Sequence, residues 1–464
     1  MRFQTVLLLP LGAAVSGCAP YHYHPAPVSP PALAASLQSR SLDDPGLRVW
    51  MEQAAGLASP AWPLPAWDLG SLTLAAYYFN PAMDVARSNA TVADAAIETA
   101  AMKPNPSVGT DGGYETAAES PYLLGFNFSL PIETAGKRGY RMAAAAHLSE
   151  ASRLQVAETA WAVRSQVRAA LADLLYAQDT TGTLRRQEAL QSKYAELLEV
   201  RYSAGEVALP DVTAARIDLT HLHQALRASD GQMESARGAL AAAVGVPLSG
   251  LTGKVVLWPN ADQPPAPDAL PTRKLRAEAV ANRLDVLRAL AQYEAAQSRL
   301  QLEVARQYPD IDLGPGYAYE EGVHLISLQL AALLPLRNHN EGPIAEAEAG
   351  RHVAGARLLA TQAAVIAQID RALAQYKAAY SVLGAARRAE RQTVAQSKTA
   401  EAWFKSGEAD RLAAIAAGIQ ADLAERARLD ALRQAQLALG LLEDALQRPI
   451  DPATAPALPK TAPR

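Results

Sequence analysis

Between Arg141 and Arg201 the chain carries no proline, and Gly182 is its only glycine there. Proline breaks a helix interior and glycine weakens it. The stretch therefore predicts one uninterrupted helix, on the order of 90 Å long at 1.5 Å per residue. No compact soluble domain needs a helix of that length. The segment that follows places apolar or small residues at Val212, Ala215, Leu219, Leu222, Leu226, Ser229, Met233, Ala236 and Leu240. That is the three-four spacing of a coiled-coil seam, and its alanines permit close helix approach. An ordinary core stripe gives the same spacing but does not explain the length.

The plan occurs twice. "KPNPSV" (Lys103 to Val108) is echoed by "RQYPDI" (Arg306 to Ile311), "SLPI" (Ser129 to Ile132) by "LLPL" (Leu333 to Leu336), and "YSAGEVA" (Tyr202 to Ala208) by "FKSGEAD" (Phe404 to Asp410). The displacements are 203, 204 and 202 residues. Three matches in the same order at nearly one spacing argue for a duplicated unit, far longer than a solenoid repeat. Each unit reads as an Ala-rich helix, two short strands, a very long helix, a Gly-containing turn and a second long helix. The units span residues 69–250 and 272–448, with a Pro-rich linker at 251–271. Pro-rich segments at 18–68 and 449–464 are expected to be an extended tether and tail.

Hydrophobic residues make up 50% of the chain, charged residues 19%, and the net charge is -4, so nothing favours a nucleic-acid partner. No apolar run approaches the roughly 20 residues of a membrane helix. A membrane crossing would therefore require a closed β-barrel. The strands alternate as a barrel wall does. In "YLLGFNFSL", Tyr122, Leu124, Phe126, Phe128 and Leu130 oppose Leu123, Gly125, Asn127 and Ser129. In "DIDLGPGYAYE", Ile311, Leu313, Tyr317 and Tyr319 oppose Asp310, Asp312 and Glu320, and Ile326, Leu328 and Leu330 of "LISLQLA" alternate with Ser327, Gln329 and Ala331. An apolar outer and a polar inner face would make Phe126, Phe128, Tyr317 and Tyr319 lipid-facing and Asp310, Asp312 and Glu320 lumen-facing. A half-buried soluble sheet alternates similarly, but here no second sheet is available to pack on. Four strands cannot close a barrel of useful diameter, so closure requires several copies.

Cys18 is the only cysteine, which excludes an internal disulfide and a cysteine-rich metal site. It follows Arg2, the short apolar run Val6 to Val15, and the small residues Ser16 and Gly17, the layout of a secretory signal over residues 1–17. "VSGC" resembles the lipobox of bacterial lipoproteins, which implies that Cys18 becomes a lipidated first residue. Ala19 after it implies delivery to the outer membrane.

The ordered, duplicated set of "NP" (Asn80–Pro81), "PNP" (Pro104–Pro106), "LPIETAGKR" (Leu130–Arg138), "RYSAGEVALPDV" (Arg201–Val212) and "KSGEAD" resembles the TolC-like outer-membrane efflux factors, over roughly Leu69 to Leu446. "ETAGKR" together with the lipobox resembles the branch serving cobalt–zinc–cadmium exporters. The resemblance implies a mainly α fold with a small β part, trimerising into a 12-stranded barrel continued by an α-helical tunnel. It implies as partners a periplasmic adaptor (membrane fusion) protein, an inner-membrane pump of the RND type, and outer-membrane lipid. It also places Gly205 and Gly407 at the periplasmic tip and Asp211 at a gate-aspartate position. Two further gate aspartates of the family fall on Ala413 and Ala416, and an expected arginine falls on Ala409 with Arg411 close by. The lock is then built differently, with Arg411 and next Lys405 as expected partners of Asp211. The plainer reading of Asp211 is a helix cap.

Residues two apart on a helix point in different directions, so His221 and His223 do not make a metal site, and the "YHYH" of Tyr21 to His24 reads as a solvated tether. No Ser-His-Asp order, P-loop or H-E-x-x-H is present, and no cofactor or metal is expected. The reading is a passive, lipid-anchored exit duct rather than an enzyme. Its rival is a periplasmic coiled-coil adaptor or scaffold lipoprotein.

Overall fold

The computed structural model describes residues 22–55, 62–114, 116 and 122–450. Two helices, α1 (Pro30–Gln38) and α2 (Pro45–Ala55), precede the first unit. That unit runs α3 (Leu69–Phe79), α4 (Pro81–Ala101), β1 (Ser107–Tyr114), β2 (Tyr122–Ile132), α5 (Lys137–Ser203) and α6 (Leu209–Val244). The second runs α7 (Thr272–Asn282), α8 (Leu284–Ala305), β3 (Ile311–Glu320), β4 (Val323–Ala332), α9 (Glu341–Ser406) and α10 (Arg411–Leu446). Corresponding elements begin 201 to 204 residues apart, so the duplication in sequence is a duplication of structure.

The long helices contain 67 residues in α5 and 66 in α9, about 100 Å each. Where proline occurs it sits in a first turn, at Pro81 of α4 and Pro210 of α6, where its missing N–H costs nothing. Asn80 turns the chain between α3 and α4. Its carboxamide oxygen caps Ala82 N at 3.0 Å, and its nitrogen donates to the carbonyl of Ala243 at 2.9 Å.

The four strands form one antiparallel sheet in sequence order. β1–β2 and β3–β4 are hairpins within the units, whereas β2–β3 joins the units, with Leu124 opposite Tyr319 and Phe126 opposite Tyr317. The β3–β4 hairpin closes through Glu321 and Gly322, both at positive φ (49° and 84°), the demand of a two-residue primed turn.

The main core lies far from the sheet. Trp67, Leu72, Tyr77, Val163, Val167, Leu171, Leu240 and Val244 bring α3, α5 and α6 together. Two expectations are corrected here. The segment 18–68 is not an extended tether throughout, because α1 and α2 form and Leu42, Leu47 and Met51 enter this core. Arg40 fixes it further by donating to the carbonyls of Phe79 and Gly245, and Lys254 reaches the Asp43 carboxylate at 2.5 to 2.6 Å. The linker 251–271 is likewise a packed strap. Arg168 stacks on Trp258 at 5.0 Å, and carbonyls at Ala261, Asp262 and Pro265 accept from Gln436, Arg387 and Tyr376. The proline content that suggested looseness removes backbone donors but leaves these carbonyls free to accept.

Besides the β2–β3 pairing, α5 joins the units by packing on both α8 and α10. Arg164 Nη1 and Arg168 Nε lie 3.1 and 3.3 Å from Glu443 Oε2, and all three side chains are buried. Gly440 makes room for them, since a Cβ there would stand 2.4 Å from Arg168 Nη1. Toward the turns the seam continues with Arg433–Asp173 at 2.7 Å and Arg186–Glu425.

Candidate functional site

Two regions at opposite ends of the long helices carry the features singled out above: the sheet and the Gly-containing turns. Register assembles the alternating residues into two continuous faces. Val108, Leu124, Phe126, Phe128, Leu130, Tyr317, Tyr319, Ile326, Leu328 and Leu330 share one face, because side chains directly opposite in a ladder point the same way. Among the described residues no helix packs across it, and Ile326, Leu328 and Leu330 are 70 to 86% exposed. The other face is polar and small. Asn127 Nδ2 donates to Asp111 Oδ2 at 2.9 Å, and Ser129 Oγ to Asp312 Oδ1 at 3.4 Å. Asp111 escaped the sequence reading because β1, "SVGTDGGY", has too few apolar residues to declare its phase.

Of the three expected lumen acids, Asp312 lies on the polar face and Glu320 ends β3 on the same side. Asp310 is corrected. It precedes β3 and is bound by Lys137 Nζ at 2.7 Å and the Thr134 N–H at 2.9 Å. Burial opposes its charge, but the Lys137 ammonium and the Thr134 N–H hold its carboxyl below the usual carboxylate range. A carboxylate neutralised in this way belongs to the joint between sheet and helices, not to an acidic ring.

The rest of "ETAGKR" builds the same joint. Glu133 takes Arg141 in a fork at 2.6 and 3.2 Å. Arg138 and Arg141 then donate to the orphan carbonyls of Ala101, Ala100 and Met102 at the end of α4, at 2.7 to 2.9 Å. The second unit solves the same turn with Asn340, at φ 64°, donating to the carbonyl of Glu303 at 2.7 Å.

At the far end both turns close in the same manner. Gly205 and Gly407 sit at φ 76° and 80°. The next N–H in each case reaches back five residues, Glu206 to Arg201 and Glu408 to Trp403, each at 2.8 Å, which is a Schellman closure. No atom lies within 4 Å of where either Cβ would be. The requirement for glycine is therefore one of backbone conformation. Gly205→Val or Gly407→Val should cost about 1–3 kcal/mol locally by forcing a β-branched residue into that region. Proteolysis at the turns of the purified protein should rise, while its overall helix content, read by circular dichroism, stays unchanged.

The charge pairing at the tips differs from expectation. Within the chain, Asp211 pairs with neither Arg411 nor Lys405. Its carboxylate turns back to Ala208 N at 3.3 Å, the return half of a capping box, and Lys405 faces Glu401 at 3.3 Å. The link between the turns is instead Arg201 Nη2 to Asp410 Oδ1 at 2.6 Å. Asp410 is the N-cap of α10 and accepts from Leu412 N at 3.4 Å. Arg201 holds its carboxyl below the usual carboxylate range. The cap position and a basic residue 209 places upstream were both visible in sequence, but only the register of α5 against α10 brings them together. With Ala413 and Ala416, the first turns of α10 carry no acid.

His223 faces Glu188 at 3.2 Å, and among the described residues no group of three or more His, Cys, Asp or Glu is placed to hold a metal ion. No described helix is long and apolar enough to cross a membrane. Cys18 lies outside the described residues.

Comparison with known proteins bears on both ends. Residues 76–246 match the family described as outer membrane efflux protein. The cobalt-zinc-cadmium resistance protein CzcC of Cupriavidus metallidurans is 27% identical over 347 residues, covering 72% of this chain and 74% of that protein. The outer membrane protein VceC of Vibrio cholerae superposes with a TM-score of 0.65 at 20% identity, covering 82% of this chain and 97% of VceC. The CmeC outer membrane channel of Campylobacter jejuni gives 0.66 at 15% identity, with 82% and 85% covered. The duplicated unit and the strand pair in each half agree with these likenesses: residues 76–246 are similar to the outer membrane efflux protein family, and the fold is that of the solved outer-membrane channels.

Proposed function

We propose that this chain is the outer-membrane exit duct of a tripartite efflux pump, a passive conduit rather than an enzyme. One observation carries the reading. A four-stranded sheet with open edges, one apolar face and one polar face is mounted at the end of helices about 100 Å long. An uncovered apolar face suits lipid, and edges at β1 and β4 that lack partners among the described residues suit pairing with further copies, three of which give a 12-stranded barrel. A periplasmic adaptor or scaffold would leave that apolar face in water. The helices then form a periplasmic tunnel, and the turns at Gly205 and Gly407 face an adaptor protein and, through it, an inner-membrane pump of the RND type that supplies the energy. The cargo is a small molecule or metal ion, and the likeness to a cobalt-zinc-cadmium resistance protein favours divalent cations. Purification from outer membranes should yield an SDS-resistant trimer that conducts in planar bilayers; a monomer without conductance overturns the reading.

Cys18 is proposed as the lipid anchor, at the head of the segment that α2 ties to the body. Mass spectrometry of the mature N-terminus should find a diacylglyceryl thioether on it. The tip is proposed to be held shut in part by the Arg201–Asp410 link. Asp410→Asn keeps a good cap but removes the charge, and should raise single-channel conductance, whereas Asp211→Asn should leave it unchanged. The pH dependence follows in sign. The folded-state pKa of Asp410 is depressed, so the link is fully present above the ordinary carboxylate range and is lost only as pH falls through the lowered value.

A further inference from the structure

The α5–α10 seam changes character along its length. At its upper end Arg164, Arg168 and Glu443 are buried together, and Arg168 also donates to the Gln436 carbonyl at 2.6 Å and carboxamide at 3.0 Å. The strap holds the opposite side there, through Gln436 to Ala261 and Tyr376 to Pro265. At the lower end the Arg201–Asp410 pair is 36% and 42% exposed. Between them one acid of the seam is poorly satisfied. Asp422 Oδ2 is buried with no hydrogen-bond partner, and Asp422 Oδ1 is 3.7 Å from Arg186 Nε, while Arg186 is also bound to Glu425. Asp179 of α5 adds a further acid nearby, and Arg428 is taken by Glu390 of α9 at 2.7 Å. Burial pushes the Asp422 carboxyl up, against the pull of Arg186. One turn toward the tip lies Gly418, about two turns into α10 and against Leu190, where a Cβ would meet Leu190 Cδ1 at 3.2 Å. A glycine in a helix interior weakens it relative to alanine and leaves the backbone there easier to bend.

From this placement we propose that the tip opens by a hinge within α10 at Gly418–Asp422, with the part of α10 beyond it fixed to α5 and the strap. The inference rests on the channel reading. It predicts which half of the seam moves: Arg411 to Ala417 swings, and Leu429 to Leu446 does not.

The test uses the full-length trimer in detergent, in a Cys18→Ser background, with spin labels on exposed positions. One pair sits below the hinge (Lys193→Cys and Ala413→Cys) and one above it (Gln166→Cys and Leu441→Cys). Arg201→Ala releases the tip. The expected result is a longer, broader distance for the lower pair and an unchanged distance for the upper pair. Gly418→Ala, which stiffens the helix, and separately Asp422→Asn, which removes the buried charge, should each abolish most of that shift. Movement of both pairs together, or a lower-pair shift untouched by both substitutions, overturns the hinge. Conductance separates the two levels: a conducting trimer whose pairs move together loses the hinge alone, and a chain that forms no conducting trimer loses both.

Discussion

Glu443→Ala is expected to lower the stability of the helical body by about 3–5 kcal/mol, the range for removing one partner of a buried ion pair. The carboxylate faces two guanidiniums, Arg164 and Arg168, in a region where water has little access. It also accepts from Ile450 N at 2.9 Å, so the truncation strips support from the end of α10 as well. Glu443→Gln should cost distinctly less, because it retains the shape and hydrogen-bonding capacity. Denaturant unfolding of the solubilised protein, followed by far-ultraviolet circular dichroism, measures both. Equal losses for the two variants would show that packing, not charge, holds this node.

The second large effect concerns the sheet. Phe128→Arg places a guanidinium on the face shared by Phe126, Tyr317 and Ile326, and near the middle of a hydrocarbon layer this costs about 2–4 kcal/mol in each copy. Asn127→Arg, one residue away on the other face, should leave assembly intact and alter conductance. SDS-resistant trimer yield is the measurement. Comparable loss from the two substitutions would reverse the assigned faces.

Helix and strand positions were legible because they depend on local rules. Proline-free length gave α5, glycine punctuation gave the two turns, and alternation gave β2, β3 and β4. Duplication supplies a second example of each. Pairing was less legible. Asp410 and Arg201 are 209 residues apart, and no local pattern distinguishes Asp410 from Asp211 as the acid that bridges the tips. Asp310 was placed with its strand by alternation, whereas Lys137 claims it through a contact between the two units. The N-terminal segment misled for a compositional reason. Its prolines signal an extended chain, but Pro30 and Pro45 sit in the first turns of α1 and α2, where proline favours a helix.

The β2–β3 pairing has a bearing on how the chain is made. β2 meets a strand that begins at Ile311, so nearly two hundred residues must emerge before its second edge is satisfied. Contacts this distant in sequence form slowly. Until then the first hairpin offers an apolar face and an open edge to any neighbour, the condition that favours aggregation. The long helices, whose hydrogen bonds are local, have no such wait. Biogenesis should thus proceed with helical hairpins first and the sheet last, and a periplasmic holdase that shields strands before the second unit arrives should matter more to yield than any factor acting on the helices.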